Sequence, residues 1–345
     1  AAIDDFLSGY DGGRHVVYDA VSYSAIRGAH EITHGVRILP HYKFNEASVI
    51  VSVEADFLGT WLSPVEFTKG YVAGRTLEGE SPKLSHHVQF EGRMSLSGSN
   101  ADRRVPIATG ESITILRQLA ERLSNRAEQN VPQLTALSGT TGVGSDILDD
   151  VANRLWEARG ESIVVCGIND TATQCVVNTI NQILGNYGNT VDTVTVSNQW
   201  QSDDGAVEGL LDDMRNGRVK ALIIADTNPA YSMANADEFS QLMGNVPLSI
   251  SFTDHDDETA QLAGYVCPVH HPLEAWNDAE PVSGVLSVSQ PTIRPLGDTR
   301  SLRECLVSWN SGAPQDDLAL VQNHWRQNIF PRQSVVRDFD AFWDQ

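Results

Sequence analysis

The chain has 345 residues, 41% of them hydrophobic, which is enough for two globular domains that each bury a core. Its 24 basic and 45 acidic residues give a net charge of −21, which disfavours nucleic acid or anionic lipid as a partner. No apolar run approaches the roughly 18 residues that a membrane span needs, so we predict no direct membrane insertion.

The acidity has two interpretations. It is a solubility adaptation to a salty medium, where screening makes self-repulsion tolerable, or it forms an acidic docking face for a basic partner. The first 13 residues lack a basic region and a long apolar core, so we predict no signal peptide. The absent initiator Met favours an excised or processed segment.

The cysteines do not follow a metal-binding pattern. Cys166, Cys175, Cys267 and Cys305 are too scattered for a zinc knuckle or an iron–sulfur run. Cys166 and Cys267 lie in apolar, strand-like stretches, where a buried free thiol is the expected state.

Strands and helices alternate along the first part of the chain. Predicted strands cover 14–19, 47–56 and 86–91, and predicted helices cover 22–35, 63–75 and 111–129. At the second of these helices, Ser63 as N-cap, Pro64 at the first position and Glu66 at the third predict a capping box.

The second part repeats this alternation. Predicted helices cover 146–160, 171–185, 203–217 and 234–244, and predicted strands cover 162–167, 191–196, 219–226 and 247–253. Helices of this length between strands indicate parallel sheets. The fold class is therefore α/β, with two related Rossmann-like lobes at 1–135 and 136–345, joined by a Gly, Ser and Thr-rich linker at 131–144.

A HExxH motif at residues 30–34 raises the possibility of a zinc hydrolase. On one helix face His30 and His34 would bind zinc, Glu31 would act as base, and Glu54 would be the third ligand. Glu54 lies in a predicted strand, however, and we favour the other interpretation, an ordinary helix end with two solvated or capping histidines. The histidine pairs at 86–87 and 270–271 point to opposite faces of a strand, which disfavours chelation.

One short sequence pattern, which we call the repeated phrase, occurs twice, 162 residues apart. Ser97, Gly98, Ala101 and Pro106 recur as Thr259, Ala260, Ala263 and Pro268. Small residues at these places let the backbone pass close to a packed helix or a ligand. The segment 226–229 lies at the carboxyl end of a predicted parallel strand, where open α/β sheets bind ligands.

These echoes resemble the signatures of the molybdopterin oxidoreductase superfamily. Residues 93–102 fall at the spacing of the first-lobe signature DPRxTxTAxxAD, and residues 227–229 and 259–274 resemble the second-lobe signature. In that family each of two α/β lobes holds one pterin–guanine dinucleotide. The resemblance implies cofactor-binding positions at Asp56, Glu91, Arg93, Ser97, Asp102, Asn228 and Thr259.

Three longer segments, 55–67, 87–107 and 271–301, resemble the large subunit of bacterial alternative complex III, a quinol:electron-acceptor oxidoreductase. The resemblance implies a pterin-like region without molybdenum, with iron–sulfur clusters on a further C-terminal part. It also implies a place on the periplasmic side of a membrane complex, with cytochrome c and quinol-binding membrane subunits as partners.

The residues favour a lost cofactor. Glu54 to Asp56 replace the family's GxN, and carboxylates there would repel a dinucleotide's phosphates. DPR has become Glu91-Gly92-Arg93, IRPGTD has become residues 107–112, and Gly264 replaces an aspartate. We therefore predict a non-catalytic scaffold with no cofactor on this segment. The alternative is a working oxidoreductase domain that binds molybdopterin guanine dinucleotide and molybdenum.

Two segments are candidates for interfaces. One is the long non-periodic loop 270–298, and the other is the tail 322–345, which is rich in aromatic residues. For the tail, an amphipathic helix that packs on its own domain is the other interpretation.

Overall fold

The computed structural model describes residues 2–76, 84–108, 110–128 and 139–344, and it confirms the α/β class with two parallel sheets. Within these ranges no helix is both long and apolar enough to cross a bilayer. The strands are β1 Leu39–Tyr42, β2 Val49–Val53, β3 His86–Glu91, β4 Arg103–Pro106, β5 Ser162–Cys166, β6 Val191–Ser197, β7 Ala221–Ala225, β8 Leu248–Thr253, β9 Tyr265–Pro268, β10 Asn277–Val282 and β11 Val285–Ser289.

The helices vary from single turns to four turns. They are α1 Ala2–Leu7, α2 Ser24–His34, α3 Pro64–Ala73, α4 Leu96–Asn100, α5 Ser112–Arg126, α6 Ser145–Glu157, α7 Thr171–Ile183, α8 Asp204–Arg215, α9 Pro229–Ser232, α10 Ala236–Met243, α11 Glu258–Leu262, α12 Leu302–Ser311, α13 Asp317–His324 and α14 Phe339–Trp343.

The chain divides into two compact units. Unit I comprises Ser22–Gln201 with Pro281–Gly284, and unit II comprises Ala1–Val21, Ser202–Glu280 and Val285–Gln345. The lobe boundary predicted between residues 135 and 136, and most of the predicted linker, lie outside the described residues. The division observed is different: β5 pairs with β2, so residues up to Gln201 belong to the same unit as residues 93–102.

Unit I is built on a parallel sheet of order β4-β3-β2-β5. All five residues of β2 and all five of β5 are buried, as expected of apolar strands that are covered on both faces. One core lies between the sheet and α5, α6 and α7, and a second core contains Phe44, Phe57 and Trp61.

Unit II is built on a smaller parallel sheet of order β7-β8-β9. Its core is small and includes Leu211 and Met214 of α8, Ile224 of β7, and Phe239 and Met243 of α10. In the described residues of this unit no strand pairs with β7 on the side where β5 pairs with β2 in unit I.

Most predicted elements are present, and four expectations need correction. Residues 14–19 form no strand. The capping box does not form, because Glu66 pairs with His41 and the Ser63 hydroxyl accepts a hydrogen bond from Gln199 instead. The loop 270–298 contains the β10–β11 hairpin. The tail is not one amphipathic helix, since α13 is followed by a π-helical turn at Trp325–Ile329, a 3-10 turn at Phe330–Arg332 and the short helix α14.

The aromatic residues of the tail pack largely on one another. Trp325 contacts Phe342 and Trp343, and Phe330 contacts Phe339 and Phe342. The tail therefore packs on itself, and Trp343 also contacts Trp276 of the same unit. Packing on its own domain is thus observed, although the single amphipathic helix that was expected is not.

Candidate functional site

The two echoed phrases form the same structure in the two units. In unit I the chain runs from β3 through α4 into β4, and in unit II it runs from β8 through α11 into β9. Val88 pairs with Arg103 in the first sheet, and Ile250 pairs with Tyr265 in the second, so the register is shifted by 162 residues at both strands. The strands β2 and β7 correspond in the same way with a shift of 172, as in Val49 and Ala221.

In unit I a carboxylate and a hydroxyl join the loop after β2 to the helix after β3. Oδ1 of Asp56 accepts hydrogen bonds from the amide and the hydroxyl of Ser97, both at 2.9 Å. The Ser97 Oγ in turn accepts from the amide of Leu58, also at 2.9 Å. Ser97 is fully buried, so this arrangement, which we call the Asx–hydroxyl clamp, satisfies donors that water cannot reach.

Unit II repeats the clamp with different residue types. Oδ1 of Asn228 accepts from the Thr259 hydroxyl at 2.7 Å and from its amide at 3.3 Å. The Thr259 Oγ1 accepts from the amide of Ala230 at 3.1 Å. Nδ2 of Asn228 donates to Glu258, which fixes the orientation of the amide. The repeated phrase therefore encodes a repeated hydrogen-bond clamp.

Glu91 is a buried carboxylate held inside the loop of unit I. Its Oε1 accepts from Arg104 at 2.6 Å, and its Oε2 accepts from the Ser95 hydroxyl at 2.6 Å. Burial raises the pKa of Glu91, but the hydrogen bonds from Ser95 and Arg104 outweigh burial and hold that pKa below its ordinary value. The carboxylate is therefore ionised and fully paired.

The same carboxylate explains why residue 98 is glycine. A Cβ on Gly98 would lie 1.9 Å from Oε1 of Glu91. In unit II the corresponding residues are Thr253 and Ala260, and the shorter threonine leaves room for the methyl group of the alanine. The two phrases thus differ by a compensating change of side-chain volume: a large Glu91 accompanies Gly98, and a smaller Thr253 accompanies Ala260.

Asp102 closes the far end of the unit I loop. It forms a two-pronged ion pair with Arg75, both contacts at 2.8 Å, and accepts from the amide of His87 at 2.7 Å. The hydrogen bonds from Arg75 lower the pKa of Asp102 to about 2. In unit II Gly264 takes its place, and the bond is reversed: the Gly264 amide donates to the Ser249 hydroxyl at 2.9 Å.

The residues just after β2 and β7 are strained in the same way. Glu54 and Asp226 both have φ of 55°, in the left-handed region that disfavours residues with a side chain. Oε1 of Glu54 accepts from the amide of Gly92 at 2.9 Å. A Cβ at Gly167 would lie 2.2 Å from the Glu54 carbonyl oxygen, so the turn also requires a glycine opposite it.

The structure therefore brings six of the seven predicted cofactor-binding residues into internal contacts. Asp56 with Ser97 and Asn228 with Thr259 form the clamps, Glu91 and Asp102 form ion pairs, and Arg93 is exposed. Arg75 and Arg104 were not predicted, because they lie 27 and 13 positions from their carboxylates and belong to no known motif.

The zinc alternative does not assemble. In the described part of the chain, no group of three or more His, Cys, Asp or Glu side chains is placed to hold a metal ion. Nδ1 of His30 faces the Ile26 carbonyl at 2.9 Å, its Nε2 lies 3.4 Å from the Tyr187 hydroxyl, and its ring stacks on His34. Glu54 is engaged with Gly92 instead. The HExxH motif is the end of a helix that packs on α7.

The other histidine pairs also have structural roles. His87 is fully buried and hydrogen-bonded to Gln89, and burial lowers its pKa to about 4. His270 contacts the Thr299 hydroxyl at 2.6 Å, and His271 accepts from the amide of Leu273.

Comparison with known proteins supports the predicted superfamily. No family model matches the chain. A segment of 93 residues is 31% identical to the menaquinone reductase, molybdopterin-binding-like subunit, of Nitratidesulfovibrio vulgaris, and covers 26% of this chain and 14% of that subunit.

Two solved structures share the fold. Acetylene hydratase from Pelobacter acetylenicus matches with a TM-score of 0.63 and 13% identity, over 85% of this chain and 51% of the hydratase. The formyltransferase/hydrolase complex from Methylorubrum extorquens matches with a TM-score of 0.51 and 12% identity, over 83% of both chains. The chain thus spans about half of the hydratase and matches a smaller part of the menaquinone reductase subunit. The likeness supports a molybdopterin-oxidoreductase-like domain through one homologous segment and a shared fold.

The first prediction concerns Gly98. We expect Gly98→Ala to lower the free energy of unfolding by roughly 2–4 kcal/mol, because the new methyl group displaces the paired Glu91 carboxylate. The matched change Ala260→Gly should cost only about 1 kcal/mol. Adding Glu91→Thr to Gly98→Ala should cost less than the sum of the two single changes. Denaturant unfolding measures all four variants, and strict additivity would contradict the steric explanation.

The second prediction concerns the two strained residues. Asp226→Gly relieves the left-handed conformation and should raise the free energy of unfolding by about 0.5–1 kcal/mol. Glu54→Gly relieves the same strain but loses the acceptor of the Gly92 amide, so its net effect should be smaller or destabilising. Equal stabilisation by both changes in denaturant titrations would show that the Glu54–Gly92 bond contributes nothing.

The third prediction concerns pH. Burial lowers the pKa of His30 to about 4, from an ordinary value of 6.5. Between pH 6.5 and 4 His30 binds a proton in the unfolded chain but not in the folded chain. The free energy of unfolding therefore decreases as the pH is lowered through this window, and it levels off below pH 4. The loss should reach roughly 3 kcal/mol.

Unfolding of His30→Gln across this pH range should show a shallower slope than the parent protein. Ile163→Val is the matched control, since it removes a buried methyl group from the same unit without changing a titrating group. An unchanged slope in His30→Gln would refute the assignment.

Proposed function

We propose that the chain is the non-catalytic, molybdopterin-oxidoreductase-like domain of a respiratory electron-transfer subunit of the alternative complex III type. In this role it carries no molybdenum cofactor and acts as a scaffold. The observation that carries the proposal is the set of carboxylates at the carboxyl ends of β2 and β3, namely Glu54, Asp56 and Glu91, together with the contacts that they make.

These contacts do not fit an anionic dinucleotide. A phosphate at the end of a parallel sheet is bound by free backbone N–H groups and nearby cations. Here the loop amides already donate to the chain's own side chains: Gly92 to Glu54, Ser95 to Glu91, Ser97 to Asp56, Gly98 to Ser95, and Ala108 and Gly142 to Glu111.

The cation beside Glu91 is engaged in the same way. Arg104 pairs with Glu91, so its guanidinium is not available to a phosphate, whereas Arg93 is exposed. An added phosphate would meet ionised carboxylates, and it would have to break these bonds before gaining any of its own. We therefore assign no chemical step to a pterin in this chain.

A multisubunit respiratory setting supports the scaffold role. The homologous segment belongs to a subunit of a menaquinone reductase. By the sequence resemblance, the partners are cytochrome c and quinol-binding membrane subunits on the periplasmic side of the membrane. Electron transfer would then run through haems and iron–sulfur clusters outside this chain. The net charge of −21 would suit contact with a basic partner surface.

The fourth prediction tests the scaffold against the working enzyme. We expect the purified intact protein to contain no stoichiometric molybdenum or tungsten by elemental mass spectrometry. Acid denaturation should release no guanine nucleotide, measured by chromatography. A molybdenum enzyme purified from the same cells is the control for cofactor supply. Stoichiometric metal with released nucleotide would overturn the scaffold and establish a loaded pterin domain.

A further inference from the structure

Two cysteines of unit II lie on facing surfaces of β9 and α12. Cys267 is paired in register with Phe252 of β8, and residues paired in register project their side chains from the same face of a sheet. The Phe252 ring contacts Trp309 of α12, with ring centroids 5.6 Å apart. The side chain of Cys267 therefore points to the face of the sheet that α12 covers.

On the helix, Cys305 shares a face with the residue that makes this contact. Cys305 and Trp309 are four residues apart, so their side chains lie one above the other on α12. Leu306, next to Cys305, is buried, which marks this side of the helix as the packed side.

The two ends of the helix fix where Cys305 lies. Just before α12, the amide of Arg300 donates to the carbonyl of Pro268 at 3.2 Å, and Pro268 follows Cys267 in β9. At the other end Trp309 lies on Phe252 in β8. The helix thus begins beside Cys267 and ends over the neighbour of Cys267, with Cys305 between these points. At a rise of 1.5 Å per residue, Cys305 is about 6 Å along the axis from Trp309.

The electrostatics agree with this placement. Burial raises the pKa of the Cys305 thiol, and the neighbouring Cys267 raises it further. Burial also raises the pKa of the Cys267 thiol. Both cysteines are half-buried and free. A cavity of about 280 Å³ lies beside the same helix and is lined by Glu304 and Ser308 of α12.

We propose that Cys267 and Cys305 form a redox-active thiol pair that closes to an intrachain disulfide and ties α12 to β9. Closure breaks two S–H bonds and forms one S–S bond. Two electrons and two protons pass to a disulfide oxidant, which is itself reduced to two thiols. The pair does not depend on the scaffold assignment, since neither cysteine takes part in the clamps or in the ion pairs of unit I.

The test is oxidation of the folded intact protein with oxidised glutathione. The expected result is a mass loss of about 2 Da, two fewer titratable thiols, and a non-reduced peptide in which Cys267 is joined to Cys305. Because thiolate is the attacking species, the reaction should accelerate as the pH rises from 7 to 9, and dithiothreitol should reverse it. Thermal unfolding should shift to higher temperature after oxidation.

Three variants provide the controls. Cys305→Ser should abolish the mass loss, whereas Cys175→Ser removes a half-buried cysteine of unit I and should leave the 267–305 link intact. If a variant fails to fold, the peptide map of the parent protein still decides the question, and Cys267→Ala offers a second change of similar volume. Links that involve Cys166 or Cys175, stable glutathione adducts alone, or no loss of thiols would each overturn the proposal.

Discussion

Backbone N–H groups in the loops at the carboxyl end of a parallel sheet must find acceptors, and in this protein the chain's own side chains supply several of them. Asp56 and Asn228 are the central examples, because each joins the loop after one strand to the helix after the next. Around the first clamp, Glu54 accepts from the amide of Gly92 and Glu91 accepts from the amide of Ser95. The loops are therefore ordered by internal anions, and the position of α4 and the register of β4 follow from them. Removing an acceptor would leave a buried donor unpaired, which costs more than the bond itself contributes.

The two units show which parts of this arrangement are indispensable and which are exchangeable. The clamp is kept although its acceptor is a carboxylate in unit I and an amide in unit II, since both offer an oxygen at the same place. The Glu91 and Gly98 pair becomes Thr253 and Ala260, which preserves the combined volume. The Asp102 bond is rebuilt with donor and acceptor exchanged between strands. What is retained is the backbone path, and what varies is the chemistry that secures it.

How far the sequence could predict this depends on the range of each interaction. The buried strands β2 and β5 were predicted because their apolar runs are local signals. Residues 14–19 have the same local signal but pair with no strand, since pairing needs a partner that the pattern does not reveal. The capping box at Ser63 was a sound local expectation that a distant residue, His41, overrode by taking the glutamate. The clamps join residues that are 41 and 31 positions apart. The repeated phrase therefore indicated a duplicated local structure, but it did not reveal the hydrogen bonds that hold that structure.

The positions of the acidic side chains are more informative than the net charge of the chain. A net charge of −21 by itself is compatible with solubility in salt or with a basic partner. At the carboxyl end of the unit I sheet, however, Glu54, Asp56 and Glu91 accept hydrogen bonds from loop amides and from the Arg104 guanidinium group. Such carboxylates cannot be exchanged for other solubilising residues without unpairing a donor. They are also poorly placed to share the site with phosphate, because like charges in a partly buried region repel strongly. Internal order and exclusion of an anionic ligand are thus two consequences of one set of side chains.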